Sequence, residues 1–149
     1  MKAGSSLHLI FSIHRMAHEV AAALERANLG VNQPEAHILA HLAESGVSTV
    51  SDIHRTFGHK RSTLTSILDR LEARELIERV MNPIDRRSLV VRLTESGQPV
   101  ANQVQGWLRT LEAEMAAQLN DQQLSAVRAF TKAVRDATER VTLGSSPAK

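Results

Sequence analysis

Two arginines stand side by side in "NPIDRRSLVVRLT", Asn82 to Thr94, after a proline and an aspartate and before an alternating apolar run. A guanidinium delivered at the tip of such a turn suits the narrow minor groove of A·T-rich duplex DNA, where the potential is most negative. Upstream lies a second polar constellation: Lys60, Arg61, Ser62, Thr65, Ser66 and Arg70. Small hydroxyls let a helix come close to base edges and phosphates, and flanking arginines reach phosphates or guanine O6 and N7. Ser62, Thr65 and Arg70 are therefore expected at bases or the nearby backbone, with Ser66 on the same face, and Lys60 and Arg61 at phosphates. Arg55 and Arg74 fit phosphate contacts and ordinary surface charges equally well.

Other chemistry is thinner. Seven histidines include two i, i+4 pairs, His14/His18 and His37/His41, a spacing that can chelate a metal from one helix face. No acidic partner is fixed beside either pair, so solvated or capping histidines are the expectation and no metal is assigned. The absence of cysteine removes disulfides, thiolate catalysis and zinc-thiolate sites. No phosphate-binding glycine loop and no Ser-His-Asp arrangement with a supporting motif is present. Neither enzyme activity nor a cofactor is expected.

These residues need elements to hold them. In 149 residues, with 42% hydrophobic and 23% charged, there is material for one globular domain. Apolar stretches are broken by charge well before about 18 residues, and the N-terminus lacks a signal-peptide pattern, which predicts a cytoplasmic protein with no membrane partner. The net charge is only +2, but its distribution is uneven: residues 54–92 hold nine Lys/Arg against five Asp/Glu, while residues 1–53 hold three against five. The positive charge gathers in the middle third.

Apolar spacing of three and four predicts a first helix from Ser6 to about Asn28, stopped by Leu29-Gly30. Gln33-Pro34 opens a second through about Glu44, with Ala36, Leu39, Leu42 and Ala43 inward. Thr49 and Asp52 form a capping-box-like start to a short third helix, which "FGH" ends. A fourth runs from about Lys60 to Arg74 on the stripe Leu64, Ile67, Leu68 and Leu71. On a wheel of about 100° per residue, Ser62, Thr65, Ser66 and Asp69 project opposite those leucines, with Arg61 and Arg70 on the flanks. A short helix, a glycine turn and a helix with a hydroxyl-rich outer face is helix-turn-helix organisation. "LIERVM" and "SLVVRL" read as a two-stranded hairpin across "NPIDRR". "TESG" then caps a long helix with the stripe Val100, Val104, Trp107, Leu108, Leu111, Met115 and Leu119, and "NDQQ" separates it from a last helix carrying Leu124, Val127, Phe130, Val134 and Val141. Phe11, Trp107 and Phe130 are expected in a core or a dimer interface.

The stretch "TVSDIHRTFGHKRSTLTSILDRLEARELIERVMNPIDRRSLVVRLTESG" resembles the winged helix-turn-helix core of the MarR family of bacterial transcriptional regulators. The likeness is carried by Thr65, Leu68 to Glu72, Leu76, Glu78-Arg79, Pro83, Asp85, Arg87 and the closing "LTESG". It implies a mainly α fold with a small β-hairpin wing, in which residues 31–97 form the DNA-binding lobe. Residues 5–29 and 98–142 would be dimerisation helices, and 143–149 a flexible tail. The partners it implies are double-stranded DNA, a second copy of the chain, and a small-molecule effector between the dimer helices and each lobe. It gives Arg87 the minor-groove role, Asp85 the orienting of the loop, and Arg86 a phosphate. The expected function is a homodimeric regulator, most often a repressor, on a pseudo-palindromic operator with half-sites about one helical turn apart. Two alternatives are a zinc-responsive regulator of the same fold and a helical dimer that binds a protein partner without DNA. Some zinc-sensing members use a histidine where His37 falls, but "QPVANQV" lacks the others they draw on. Glu75 departs from the family, which usually has glycine there; if the backbone is left-handed, glutamate costs on the order of 1 kcal/mol.

Overall fold

The computed structural model describes residues 7–144. The elements run α1 (Leu7–Arg26), α2 (Gln33–Ser45), β1 (Val47–Thr49), α3 (Val50–Phe57), α4 (Arg61–Ala73), β2 (Ile77–Met81), β3 (Leu89–Leu93), α5 (Gly97–Ala116) and α6 (Asp121–Gly144). The fold is mainly α with a small antiparallel sheet. The described residues form two compact units, one ending at Trp107 and one beginning at Leu108, the division falling within α5. The expected starts of the first helix at residue 6 and of its segment at residue 5 lie outside the described residues, as do residues 145–149 of the expected tail. Residues 143 and 144 continue α6, and among the described residues no helix is long and apolar enough to cross a membrane.

The helix ends follow from their capping residues. At α2 the Asn32 side chain accepts from the Glu35 N–H at 3.1 Å, and the Glu35 carboxylate accepts from the Asn32 N–H at 3.2 Å. That capping box satisfies two N–H groups the first turn cannot. At α3 the Thr49 hydroxyl accepts from the Asp52 N–H at 3.0 Å and donates to its carboxylate at 2.7 Å, which holds the Asp52 carboxyl below its usual range. Gly58, at φ 66, closes α3 in the left-handed conformation that glycine reaches freely. Lys60 starts α4 without a side-chain cap.

The core of the first unit is aliphatic. Ile38, Leu39 and Leu42 of α2, Ile53 of α3, and Leu64, Ile67, Leu68 and Leu71 of α4 pack with Leu76, Ile77, Val91 and Ala101. Each large aliphatic side chain buried here contributes roughly 1.5–3 kcal/mol. In the second unit Leu111, Leu124, Phe130 and Val134 are only half-buried, and Met115, Val127 and Val141 are exposed.

The sheet corrects one expectation. The sequence predicts a two-stranded hairpin, whereas the sheet has three strands in the order β1-β3-β2, with Ser48 opposite Val91 and Arg79 opposite Val91 on the other side. A three-residue strand is too short to show period-two alternation, and its partner lies far along the chain. Ser48 is buried, its hydroxyl 2.9 Å from His41 Nε2 and 3.1 Å from the Ser45 hydroxyl.

The corner between α4 and β2 is tied to the start of α5. The Leu76 carbonyl accepts from the Thr94 N–H at 3.2 Å. The Glu75 carbonyl accepts from the Thr94 and Ser96 hydroxyls, and Thr94 in turn caps α5 by accepting from the Gly97 N–H at 2.9 Å. Glu75 itself sits at φ 57, in the left-handed region. Glu75→Gly is therefore expected to raise the stability of the fold by on the order of 1 kcal/mol. Urea unfolding checks this, and a midpoint equal to or below that of the wild type would contradict it.

Candidate nucleic-acid interface

The buried stripe of α4 fixes what its opposite face presents. With Leu64, Ile67, Leu68 and Leu71 turned to the core, Lys60, Arg61, Ser62, Thr65, Ser66 and Asp69 are all exposed. The Thr65 hydroxyl donates to the Arg61 carbonyl at 2.9 Å, and the Ser66 hydroxyl to the Ser62 carbonyl at 3.0 Å. Their protons are turned toward the helix, so the oxygens present acceptor lone pairs outward. The N-terminus of α4 carries the positive end of the helix dipole, beside the side chains of Lys60 and Arg61, an arrangement suited to an anionic oxygen. Between α3 and α4 runs an open groove of about 590 Å³ lined by Ser51, His54, Arg55, Arg61 and Thr65 among others. Arg55 reaches Asp52 at 3.4 Å on the same helix.

Arg70, Arg74 and Arg79 are engaged within the fold. Arg70 Nε donates to the Glu35 carboxylate at 3.1 Å, and Arg74 donates to the same carboxylate at 3.3 Å and to the Gly30 carbonyl at 2.6 Å. Arg70 was expected beside Ser62 and Thr65 at the bases; the structure has it held by α2. Arg79 of β2 bonds both the Glu72 and Asp69 carboxylates of α4. Its guanidinium holds the Glu72 carboxyl below its usual range, and Glu72 in return raises Arg79. The base of the hairpin is thus fastened to the helix that presents the hydroxyls. Neither the pairing of Glu35 nor this Arg79 link is legible in the sequence pattern. The spacing Asn32-x-x-Glu35 was a legible capping box, but its reach to Arg70 and Arg74 is a tertiary contact.

The hairpin tip is organised by two short side chains. Asn82 Oδ1 accepts from the Ile84 N–H at 3.0 Å, and Asp85 Oδ1 accepts from the Arg87 N–H at 3.0 Å. Asn82 N–H to the Ser88 carbonyl and Ser88 N–H to the Asp85 carbonyl, both at 3.0 Å, close the loop. Asn and Asp side chains substitute here for turn hydrogen bonds. Asp85 therefore acts on the backbone of its neighbour, while Arg86 and Arg87 project as exposed guanidinium groups with no ion-pair partner among the described residues. Lys60, Arg61, Ser62, Thr65 and Ser66 gather at one end of α4, and Asp85, Arg86 and Arg87 at the tip.

The two histidine pairs differ: His37 and His41 pack on Phe57, whereas His14 and His18 are exposed on α1. His37 stacks on Phe57 with ring centroids 6.2 Å apart, His41 meets Phe57 edge-on at 5.7 Å, and His59 stacks with Phe57 at 6.4 Å. His14 and His18 meet edge-on at 4.4 Å. Among the described residues no three His, Asp or Glu side chains converge to hold a metal. Burial, with His59 adding repulsion, lowers the His37 pKa. The unfolded chain then binds more protons than the folded one as pH falls below about 6.5. The stability that neutral His37 contributes is complete above that pH and is lost below it. The melting temperature should decline on acidification from pH 7 to 5, and His37→Phe, which keeps the ring, should flatten the decline. An identical pH profile in that variant would refute the assignment.

The sequence pattern that defines the MarR family matches residues 31–89. The HTH-type transcriptional repressor MdtR of Bacillus subtilis is 28% identical over 134 residues, which cover 90% of this chain and 84% of that protein. The uncharacterised HTH-type transcriptional regulator YfiV of the same organism is 37% identical over 76 residues; the match spans 51% of this chain and only 48% of the relative's length. Among solved structures, a mutant MarR from E. coli complexed with operator DNA superposes with a TM-score of 0.68 at 20% identity, covering 90% of this chain and 99% of that one.

Proposed function

We propose that this chain, which belongs to the MarR family of transcriptional regulators, is a homodimeric repressor that binds a pseudo-palindromic operator. The observation that carries the reading is the pairing of an α4 face of exposed hydroxyls and cations with a hairpin tip bearing two exposed arginines. In this proposal Ser62, Thr65 and Ser66 read base edges in the major groove, and Lys60, Arg61 and Arg86 hold phosphates. Arg87 enters the minor groove, with Asp85 setting its approach. Arg70, beside the hydroxyls in sequence, contributes through Glu35.

Repression is supported by the name of MdtR, and DNA binding by the operator complex of the MarR neighbour. Dimerisation is supported by apolar side chains that the single chain leaves uncovered: Leu9, Ile10, Phe11 and Met16 of α1, Met115 of α5, and Val127 and Val141 of α6. A second copy covering them places two lobes on one duplex, and an effector that changes their separation releases the operator. The deciding experiment is selection of bound sequences from random duplex DNA by the purified protein, with its mass in solution measured in parallel. A two-fold symmetric motif with half-sites about 10 base pairs apart is expected. A monomer, or a pool without an enriched motif, would sink the reading.

A further inference from the structure

Glu35 is buried at 4% exposure, and its carboxylate gathers three donors: the Asn32 N–H, Arg70 and Arg74. Capping alone does not require the charge, because glutamine serves the same position in a capping box. A buried carboxylate is costly unless it is paired, and here it is paired twice, with cations one turn apart. Those cations sit in a telling row. Ser62, Ser66 and Arg70 follow one another at intervals of four along α4, and Arg74 continues that row at the residue that caps the helix. The row begins with exposed hydroxyls and continues into two guanidinium groups that are 51% and 45% exposed yet held from behind by α2.

We propose that Glu35 withholds Arg70 and Arg74 from the phosphate backbone and so restricts the sequence-independent affinity of the recognition helix. The proposal rests on the DNA-binding reading above and concerns the same face. Each cation placed on a phosphate strengthens binding to every duplex alike, whereas discrimination comes from base contacts. Neutralising two arginines internally leaves base contacts and the wing to decide where the protein resides, which raises the ratio of specific to non-specific binding.

The test compares wild type with Glu35→Gln, which keeps a capping acceptor and removes the charge, on a selected operator and on a scrambled duplex across a salt series. Release of Arg70 should steepen the dependence of log K on log salt by about 0.9 on the scrambled duplex, rising toward about 1.8 where Arg74 also leaves the Gly30 carbonyl. The preference for operator over scrambled DNA should fall. A merely structural role would weaken binding to both duplexes without steepening either slope. Arg74→Gln, which leaves Arg70 on the carboxylate, provides a second arm should Glu35→Gln fail to fold. Its slope should equal that of the wild type, whereas an arginine already on a phosphate would lose about 0.9. Wild-type binding with an unchanged or shallower Glu35→Gln slope, or a shallower Arg74→Gln slope, overturns this proposal alone. Absence of salt-dependent binding by the wild type overturns the regulator reading and this proposal with it.

Discussion

Alanine at Gly97 is expected to unfold the first unit at temperatures where the wild type is fully native. A Cβ built there would lie 1.8 Å from the Leu76 carbonyl oxygen, 2.7 Å from its carbon and 3.1 Å from the Leu76 Cα. All three are backbone atoms, so no rotamer change can relieve the clash. The Leu76 carbonyl is already bonded to Thr94, and the Leu76 side chain belongs to the core. Moving it displaces the start of β2 or lifts the first turn of α5, and with it the fully buried Ala101 and Val104 further along the helix. Overpacking that forces backbone shifts commonly costs about 1–3 kcal/mol, and this contact lies at or beyond the top of that range. Against a total stability of about 5–15 kcal/mol, a fall in melting temperature of roughly 10 °C or more should follow. The control is Gly106→Ala in the same helix, where an added Cβ meets nothing within 4 Å and helix propensity favours alanine by about 1 kcal/mol. Circular dichroism melts of the two variants should move in opposite directions. A Gly97→Ala melt within a few degrees of wild type would mean that this corner yields freely.

Arg87→Ala should reduce operator affinity by about 1–3 kcal/mol, or roughly 5- to 150-fold, and make the salt slope shallower by about 0.9. The loss should leave the melting temperature unchanged, because the fold uses only the backbone N–H of this residue, which donates to Asp85. Arg86→Ala should reduce the slope comparably while weakening operator and scrambled duplex by similar factors, since a phosphate contact carries no sequence information. Arg87→Lys distinguishes charge from shape, because an ammonium cannot reproduce the planar fork of a guanidinium. Operator titrations at two or more salt concentrations read all three. Unchanged affinity and slope in Arg87→Ala would remove the minor-groove assignment.

Much of the local structure was legible because it is encoded locally. The Leu64-Ile67-Leu68-Leu71 stripe, the Thr49 cap, the Gly58 turn and the Asn82, Pro83 and Asp85 loop residues each act within a few positions, and all form as expected. What escaped is what joins distant segments. Val47–Thr49 becomes a strand only by pairing with β3. Glu35 looks like an ordinary first-turn acid until α4 delivers two arginines to it. Arg79 looks like a solvated strand residue until Asp69 and Glu72 meet it. For the candidate site, residue types and helix face could be read directly, but which arginines were already committed elsewhere could not. Arg70 is the exposed flank of a helical wheel, and in the fold it stays half-exposed while bonded to Glu35. The stripes of the last two helices were recognisable as well, yet Met115 and Val127 are exposed in the fold.

The fastening of Arg79 to Asp69 and Glu72 gives the lobe the character of a fixed gauge. The hairpin cannot swing about its base without breaking two charged contacts on the helix beside it, so the interval between what α4 touches and what the tip touches is set at folding. On a duplex bound in the way proposed, that interval would amount to a constant number of base steps. Sequences that stretch or shrink it by even one pair would then have to bend to fit.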